Sequence, residues 1–439
     1  MLRQSPVNVQ RYLSSAACGV ICLAGGNTYV YSAYGPQLAD RSGSSASQAA
    51  TLALAGAIGL AWSGPVTGVI IDNAPSHLPT IAAALLMFTG YGIVYRAYAT
   101  GSCSFSLSIF AMWMSGAGGS FASGTGIKYA GLNFPYATGS ATAVPMTAFG
   151  LSASLFSTIA ALFFAGDTQQ FSSLLCLLPS VCCSLCLPFS HYVPAPPPSL
   201  YELPVDTSGP GCDDIEYNGT QILRSPIFWY HYLIISLTLG CGQMFISSCG
   251  YCIRALMIEG NVPLDSVQRI QSSQVGIVSM MSATGRSTAG VVSDMCEYRF
   301  GVSRTWTIVV AGAVFMCANY AAIHIDSVSM IWVVSALTGL GYGIGFGSYP
   351  AVVSKTFGMT YFSQNWGILT TSPIFGSYIF NNFFGHVYDS MVDTDPSSDK
   401  YGYCVHGVLC YAAAFRLTFF SSSLGTGLAL YVILRSAKS

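Results

Sequence analysis

Charge is scarce in this chain. Only 8% of its 439 residues are Asp, Glu, Lys or Arg, against 52% that are hydrophobic. A soluble domain carries about a quarter charged residues. So few charges cannot cover a water-facing surface of this size, which excludes an ordinary soluble domain and makes lipid the solvent over most of the chain. The formal net charge of −1 argues against a nucleic-acid partner. Signatures of enzyme chemistry are missing too: there is no HExxH, P-loop, GxSxG or dinucleotide fingerprint. No enzyme activity, cofactor or metal is expected. The first apolar run is long, Tyr-rich and without a cleavage pattern, so no cleavable signal peptide is expected.

The spacing of the few charges shows what is there. No charged residue occurs from Tyr12 to Ala39, Ser42 to Ile71, Ala97 to Ile127, Tyr129 to Gly166, Ser225 to Ile253, Thr305 to Ile325, Ser327 to Ser354 or Thr356 to Tyr388. Each run can hold a helix of about 20 residues, the length that crosses about 30 Å of hydrocarbon. Backbone in lipid must satisfy its own hydrogen bonds, so the runs are helices or a closed barrel. Barrel strands need alternating segments of about 10 residues, and these runs are too long and too evenly apolar. The fold class expected is an all-α polytopic membrane protein. Twelve transmembrane spans are expected near 13–37, 47–71, 79–101, 104–127, 138–165, 170–190, 227–252, 270–293, 305–325, 328–352, 361–385 and 408–434.

With the N-terminus in the cytoplasm, the inner segments hold Arg3, Arg11, Lys128, Arg224, Arg299, Arg304, Lys355, Arg435 and Lys438. The outer ones hold Arg41, Arg96, Arg254, Arg269 and Lys400. This bias favours both termini inside. Most of the fifteen cysteines sit in spans, where they act as small hydrophobes. Cys183 and Cys186 have CxxC spacing but read as packing residues. Cys404 and Cys410 flank the last outer loop, where pairing stays open.

Residues 191–225 interrupt the spans. Pro196–Pro198 stiffen this stretch, and Glu202, Asp206, Asp213, Asp214 and Glu216 make it acidic, as in a solvated linker. It separates an N-terminal six-helix half, 1–190, from a C-terminal half, 226–439. The halves repeat features in register. Gly26-Asn27 in span 1 matches Gly242-Gln243 in span 7, and Gly68-x3-Asp72 in span 2 matches Gly290-x3-Asp294 in span 8. Spans 4 and 10 are glycine-dense, and Gly139/Pro145 in span 5 matches Gly367/Pro373 in span 11. Duplicated halves about a central linker are the layout of carriers that rock one half against the other.

The duplicated Gly-x-x-x-Asp resembles the major facilitator superfamily, which implies a twelve-helix fold in two six-helix halves. Gly64-Pro65 in span 2 and Arg286-Ser287-Thr288-Ala289-Gly290 in span 8 are similar to its monocarboxylate-transporter branch. Tyr34-Gly35-Pro36-Gln37-Leu38, Ala148–Ala153 and Tyr361–Gly367 with Gly385–Asp389 resemble that branch's fungal nodulin-like members. The departures are specific. The loop after Asp72 carries no basic residue, only His77. Span 1 has no lysine, and Ser282 stands where an aspartate precedes the arginine in animal carriers of the branch. The coupling ion therefore stays open.

Gly68, Asp72, Gly290, Asp294, Arg299 and Arg304 form the expected gate. The glycines admit a neighbouring helix, and each Asp accepts from a helix N-terminus or pairs with an arginine. Arg286 stands inside a run otherwise small or apolar from Ser282 to Ser293. A mid-membrane charge costs about 2.5–3.5 kcal/mol even on the lenient scale, so it faces a cavity or a partner. Either a substrate carboxylate or buried carbonyls can fill that role. Arg416 in span 12 raises the same pair of readings, with the structural one favoured. Asn27, Gln243, Tyr31, Tyr34 and Trp366 are the remaining substrate-binding candidates, each with packing as its alternative. His231 and His324 read as interfacial.

The reading is a secondary transporter moving a small organic anion, monocarboxylate-like, by alternating access. Its partners are a small-molecule substrate, a coupling ion left open, and the bilayer of the plasma or vacuolar membrane. A carrier of neutral or cationic solutes, or a non-transporting sensor with a carrier fold, is the alternative.

Overall fold

The computed structural model describes residues 6–31, 34, 38, 41, 46–101, 104–164, 167–194, 217, 219–260, 267–393 and 404–436. Most of the acidic linker, including Asn218, lies outside them, as do Asp395 and Asp399 in the loop before the last span. Among the described residues the chain is helical with no strand; Val392 and Cys404 form one isolated bridge.

The helices are α1 (Pro6–Gly25), α2 (Ala46–Trp62), α3 (Gly64–Asn73), α4 (His77–Thr100), α5 (Phe105–Asn133), α6 (Thr138–Phe163), α7 (Thr168–Cys186), the short α8 (Gly219–Ile222), α9 (Pro226–Glu259), α10 (Val267–Phe300), α11 (Trp306–His324), α12 (Ile331–Phe357), α13 (Phe362–Leu369), α14 (Ser372–Asp389) and α15 (Leu409–Ser436). With α2–α3 and α13–α14 each counted as one interrupted span, and α8 lying within the linker, these fall on the twelve expected segments. Among the described residues, nine spans are long and apolar enough to cross a membrane by length and composition. Span 4 (α5), span 8 (α10) and span 11 (α13–α14) are not among those nine. α5 is rich in Gly and Ser, and α10 carries Gln, Ser, Thr and Arg along its length.

Three spans are interrupted where the sequence permits it. Span 1 passes from α-helix into a 3₁₀ turn at Gly26–Val30. Span 2 breaks at Ser63, just before Gly64-Pro65 starts α3, and span 11 breaks before Ser372-Pro373 starts α14. Proline lacks the N–H that would continue the preceding helix but fits the first turn of the next. The matched Pro145 behaves differently and lies inside an unbroken α6.

The chain forms two compact units. One comprises Met1–Arg224 with Pro350–Thr370, and the other Ser225–Tyr349 with Thr371–Ser439. Each has its own apolar core. In the first, Ile21, Ala83, Met87 and Cys183 pack in one cluster and Tyr34, Tyr91, Met112 and Phe171 in another. In the second, Met244, Phe245, Cys252, Phe384 and Phe415 pack together. Large apolar side chains also lie exposed, such as Leu162, Phe163, Leu185 and Phe420. On a soluble protein such a surface would aggregate; here it is the lipid-facing side.

Candidate functional site

In the first unit, α3 and α13 run antiparallel in close contact. A β-carbon on Gly64 would lie 2.8 Å from the carbonyl oxygen of Gly367, and one on Gly68 would lie 2.6 Å from Gln364 Cα. Only glycine at these positions lets the backbones approach so closely. The approach carries Asp72, at the end of α3, to the N-terminus of α13. Its carboxylate accepts the backbone N–H of Ser363 at 3.1 Å and of Gln364 at 2.8 Å. Lys128 Nζ from α5 donates to the same group at 2.7 Å and lies 3.5 Å from the carbonyl of Thr360. The Asp72 and Lys128 side chains are only 1% and 8% exposed. A buried carboxylate is thus matched by a helix N-terminus and an ammonium group. The basic residue that the loop after Asp72 lacks is supplied by α5.

The end of the linker is fastened to the same segment. Tyr217 donates its N–H to Phe357 O at 3.1 Å and accepts at its own carbonyl from Asn365 Nδ2 at 2.8 Å. Gly219 N donates to Gln364 Oε1 at 3.2 Å. The linker's start is held by α5, where Asn133 Oδ1 accepts from Val193 N at 2.8 Å and Nδ2 donates to His191 O at 3.1 Å. Neither clasp was readable from the sequence, because Asn133 and Asn365 stand far from their partners along the chain.

In the second unit the duplicated motif ends differently. Asp294 Oδ1 pairs with Arg304 Nη2 at 3.1 Å, and Glu297 also pairs with Arg304. Arg304 is 4% exposed, whereas Arg299 is exposed. Gly290, one turn before Asp294, is buried.

Arg286 lies nineteen residues past the start of α10 and fourteen before its end, and is 6% exposed. Its backbone rests on the glycine face of α12. A β-carbon at Gly339 would lie 2.9 Å from Val278 Cα, one at Gly343 2.9 Å from Ser282 Cα, and one at Gly347 2.7 Å from Arg286 Cα. The four-residue spacing on α12 matches the four-residue spacing on α10, so two parallel helices pack nearly backbone to backbone. The guanidinium carbon then sits 5.4 Å from the centroid of the Phe346 ring. Phe346 packs on Tyr342 one turn earlier, with ring centroids 4.8 Å apart, and Tyr342 Oη donates to Gln243 Oε1 of α9 at 3.0 Å. Phe346 and Tyr342 were not singled out from the sequence, since aromatics in spans all look alike until a neighbour is known.

The other candidates are placed as follows. Asn27 is fully buried in the 3₁₀ turn, with its amide nitrogen 3.5 Å from Met87 Sδ. Tyr31 meets Tyr34 edge-on, and Tyr34 is buried with its hydroxyl 3.7 Å from Met112 Sδ. Trp366 is buried in α13, its ring parallel to that of Phe362. Arg416 is exposed on α15. Of the two histidines, His324 packs against Tyr320 with the rings tilted, but His231 is not interfacial: it is buried against Tyr349. Cys404 and Cys410 are joined as a disulfide, and Cys183 and Cys186 are free and buried.

Residues 11–201 match the Nodulin-like family model. An uncharacterized membrane protein of Saccharomyces cerevisiae is 25% identical, covering 91% of this chain and 90% of its own. A probable transporter MCH1 of Wickerhamomyces anomalus is 30% identical over 36% of this chain, a match spanning 32% of that relative's length. Among solved structures, the major facilitator transporter FucP in its outward conformation superposes with a TM-score of 0.65 at 12% identity, covering 95% of this chain and 99% of that one. The proton:xylose symporter XylE gives a TM-score of 0.60 at 11% identity, covering 95% and 94%. The chain therefore has the fold of these major facilitator structures, and over residues 11–201 it is similar to the Nodulin-like family.

Proposed function

We propose that the chain moves a small organic anion, monocarboxylate-like, by alternating access, with Arg286 as the residue that receives the negative group. The observation that carries this reading is a permanent cation buried in mid-helix, its backbone set by Gly347 and its guanidinium over Phe346. The acids of the same helix, Asp294 and Glu297, lie further along it beside Arg304. A guanidinium presents paired N–H donors that match the two oxygens of a carboxylate, and in a low-dielectric site such a bond is stronger than in water.

In this reading the six-helix halves, 1–190 and 226–439, alternate the side on which the substrate is open to water, and the contacts of Asp72 with α13 gate the inner side. Asp294 and Arg304 brace the corresponding helix end in the second half. Both termini face the cytoplasm, and the protein resides in the plasma or vacuolar membrane. The test is uptake of labelled short carboxylates and of neutral sugars by proteoliposomes carrying the purified protein. Arg286→Gln should cut carboxylate uptake by about tenfold or more, the scale of a lost charge-assisted hydrogen bond. Undiminished carboxylate uptake by that variant, or uptake of neutral solutes alone, would sink the anion reading and favour the neutral carrier.

A further inference from the structure

Gln243 and Tyr342 give the proposed anion site a second pole. The hydrogen bond from Tyr342 Oη to Gln243 Oε1, 3.0 Å long, fixes which way the amide faces. A tyrosine hydroxyl can donate to the amide oxygen, and once that oxygen is engaged the two amide N–H donors project from the other side of the group. Tyr342 is 9% exposed, and it is held from two directions: the tilted ring of Phe346 packs against its own, and a β-carbon on Gly242 beside Gln243 would come within 3.2 Å of it. The tyrosine is therefore fixed in place, while Gln243 is only partly buried. Tyr342 thus touches this amide, Phe346 packs against Tyr342 in a tilted arrangement, and the guanidinium of Arg286 lies over Phe346, which makes one line of contacts from Gln243 to Arg286.

That line has a polarity. One end carries a cation able to take a carboxylate, the middle is an aromatic wall, and the other end offers neutral N–H donors. We infer that Gln243, oriented by Tyr342, reads a neutral hydrogen-bond acceptor on the substrate several bonds away from its carboxylate. The substrate class is then a carboxylate with an apolar middle and a distal carbonyl or comparable oxygen. An acid whose only other oxygen is on the carbon next to the carboxylate would present both groups to Arg286 and leave Gln243 unused. Tyr342 is a positioning residue here, acting through Gln243. The inference rests on the anion reading of Arg286.

Matched acids provide the test. Pentanoate, hexanoate and heptanoate are titrated by calorimetry into the purified full-length protein, each beside its 4-oxo, 5-oxo or 6-oxo counterpart. For at least one pair the oxo acid should bind about threefold to tenfold more tightly, the net worth of one hydrogen bond. Tyr342→Phe should collapse that ratio towards one. Gln243→Glu should do the same while retaining an acceptor for the Tyr342 hydroxyl, so the result does not hang on one variant's folding. The ratio cancels any general loss of affinity. If plain acids bind but no oxo acid is preferred, or if the preference survives in both variants, the second pole is wrong and the anion reading stands. If no carboxylate binds at all, both fall together.

Discussion

Gly347 lies directly beneath Arg286: a β-carbon at 347 would sit 2.7 Å from both the α-carbon and the carbonyl oxygen of the arginine. The position of the buried cation is thus set by the absence of a side chain on the neighbouring helix. Gly347→Ala should force α10 and α12 apart and destabilise the protein by about 1–3 kcal/mol, the usual scale of overpacking. Because the strain falls on Arg286 itself, carboxylate uptake should drop more than the thermal midpoint alone explains. Gly427→Ala, where a β-carbon meets open space, is the control and should leave the thermal midpoint in place. Differential scanning fluorimetry and proteoliposome uptake on the two variants check this.

The proposed latch is testable through its buried ion pair. Asp72→Asn keeps an acceptor for the α13 N–H groups but leaves the Lys128 ammonium, 8% exposed, without its counter-charge. Removing one member of a buried pair costs about 3–5 kcal/mol, largely through the charge left behind. Asp72→Asn should therefore lower thermal stability strongly, and adding Lys128→Met should restore part of it. A double-variant cycle with no coupling between positions 72 and 128 would show that the ion pair contributes nothing to holding α3 against α13.

How much of this was legible in the sequence follows from the physics of each signal. The twelve spans were readable because lipid excludes charge, so gaps between charges mark helices. The glycines of span 10 were readable as a packing face because Gly339, Gly343 and Gly347 share one side of a helix. What packs against them was not, since one helical periodicity says nothing about the partner. Lys128 entered the sequence reading only as an inner-side charge; its pairing with Asp72 joins residues 56 positions apart. The two copies of Gly-x-x-x-Asp looked equivalent, yet Asp72 caps a helix N-terminus and Asp294 meets Arg304. That difference comes from what stands opposite each motif, which no motif contains.

The clasp on the linker's end is testable by proteolysis. Asn365 is fully buried and donates to Tyr217 O at 2.8 Å, so Asn365→Leu deletes one of the bonds that fasten Tyr217–Ile222 to α13. Losing a bond worth about 1 kcal/mol should raise the open population of that segment about fivefold. Arg224 is exposed just beyond it, and local opening governs cleavage when reclosing is fast. Tryptic cleavage after Arg224, followed by mass spectrometry, should be about fivefold faster in the variant. Equal rates would mean that the backbone bonds of Tyr217 and Gly219 hold the segment without Asn365.

The disulfide supplies a test of orientation. Cys404 and Cys410 close a loop with a sequence separation of 6, and both are buried beside the start of α15. A disulfide persists on the oxidising side of a membrane and not in the cytosol, so this loop faces outward or into a lumen if the proposed orientation is right. Chain-entropy reasoning for so short a loop gives about 2 kcal/mol of stabilisation. Cys404→Ser should lower the thermal midpoint accordingly, and reductant should destabilise the parent protein while leaving the variant unchanged. A thiol count on denatured protein from untreated cells, blocked beforehand with a small maleimide, decides the orientation. Two protected cysteines released only by reductant place the loop on the non-cytoplasmic face; two freely alkylated cysteines at these positions would reverse the proposed topology.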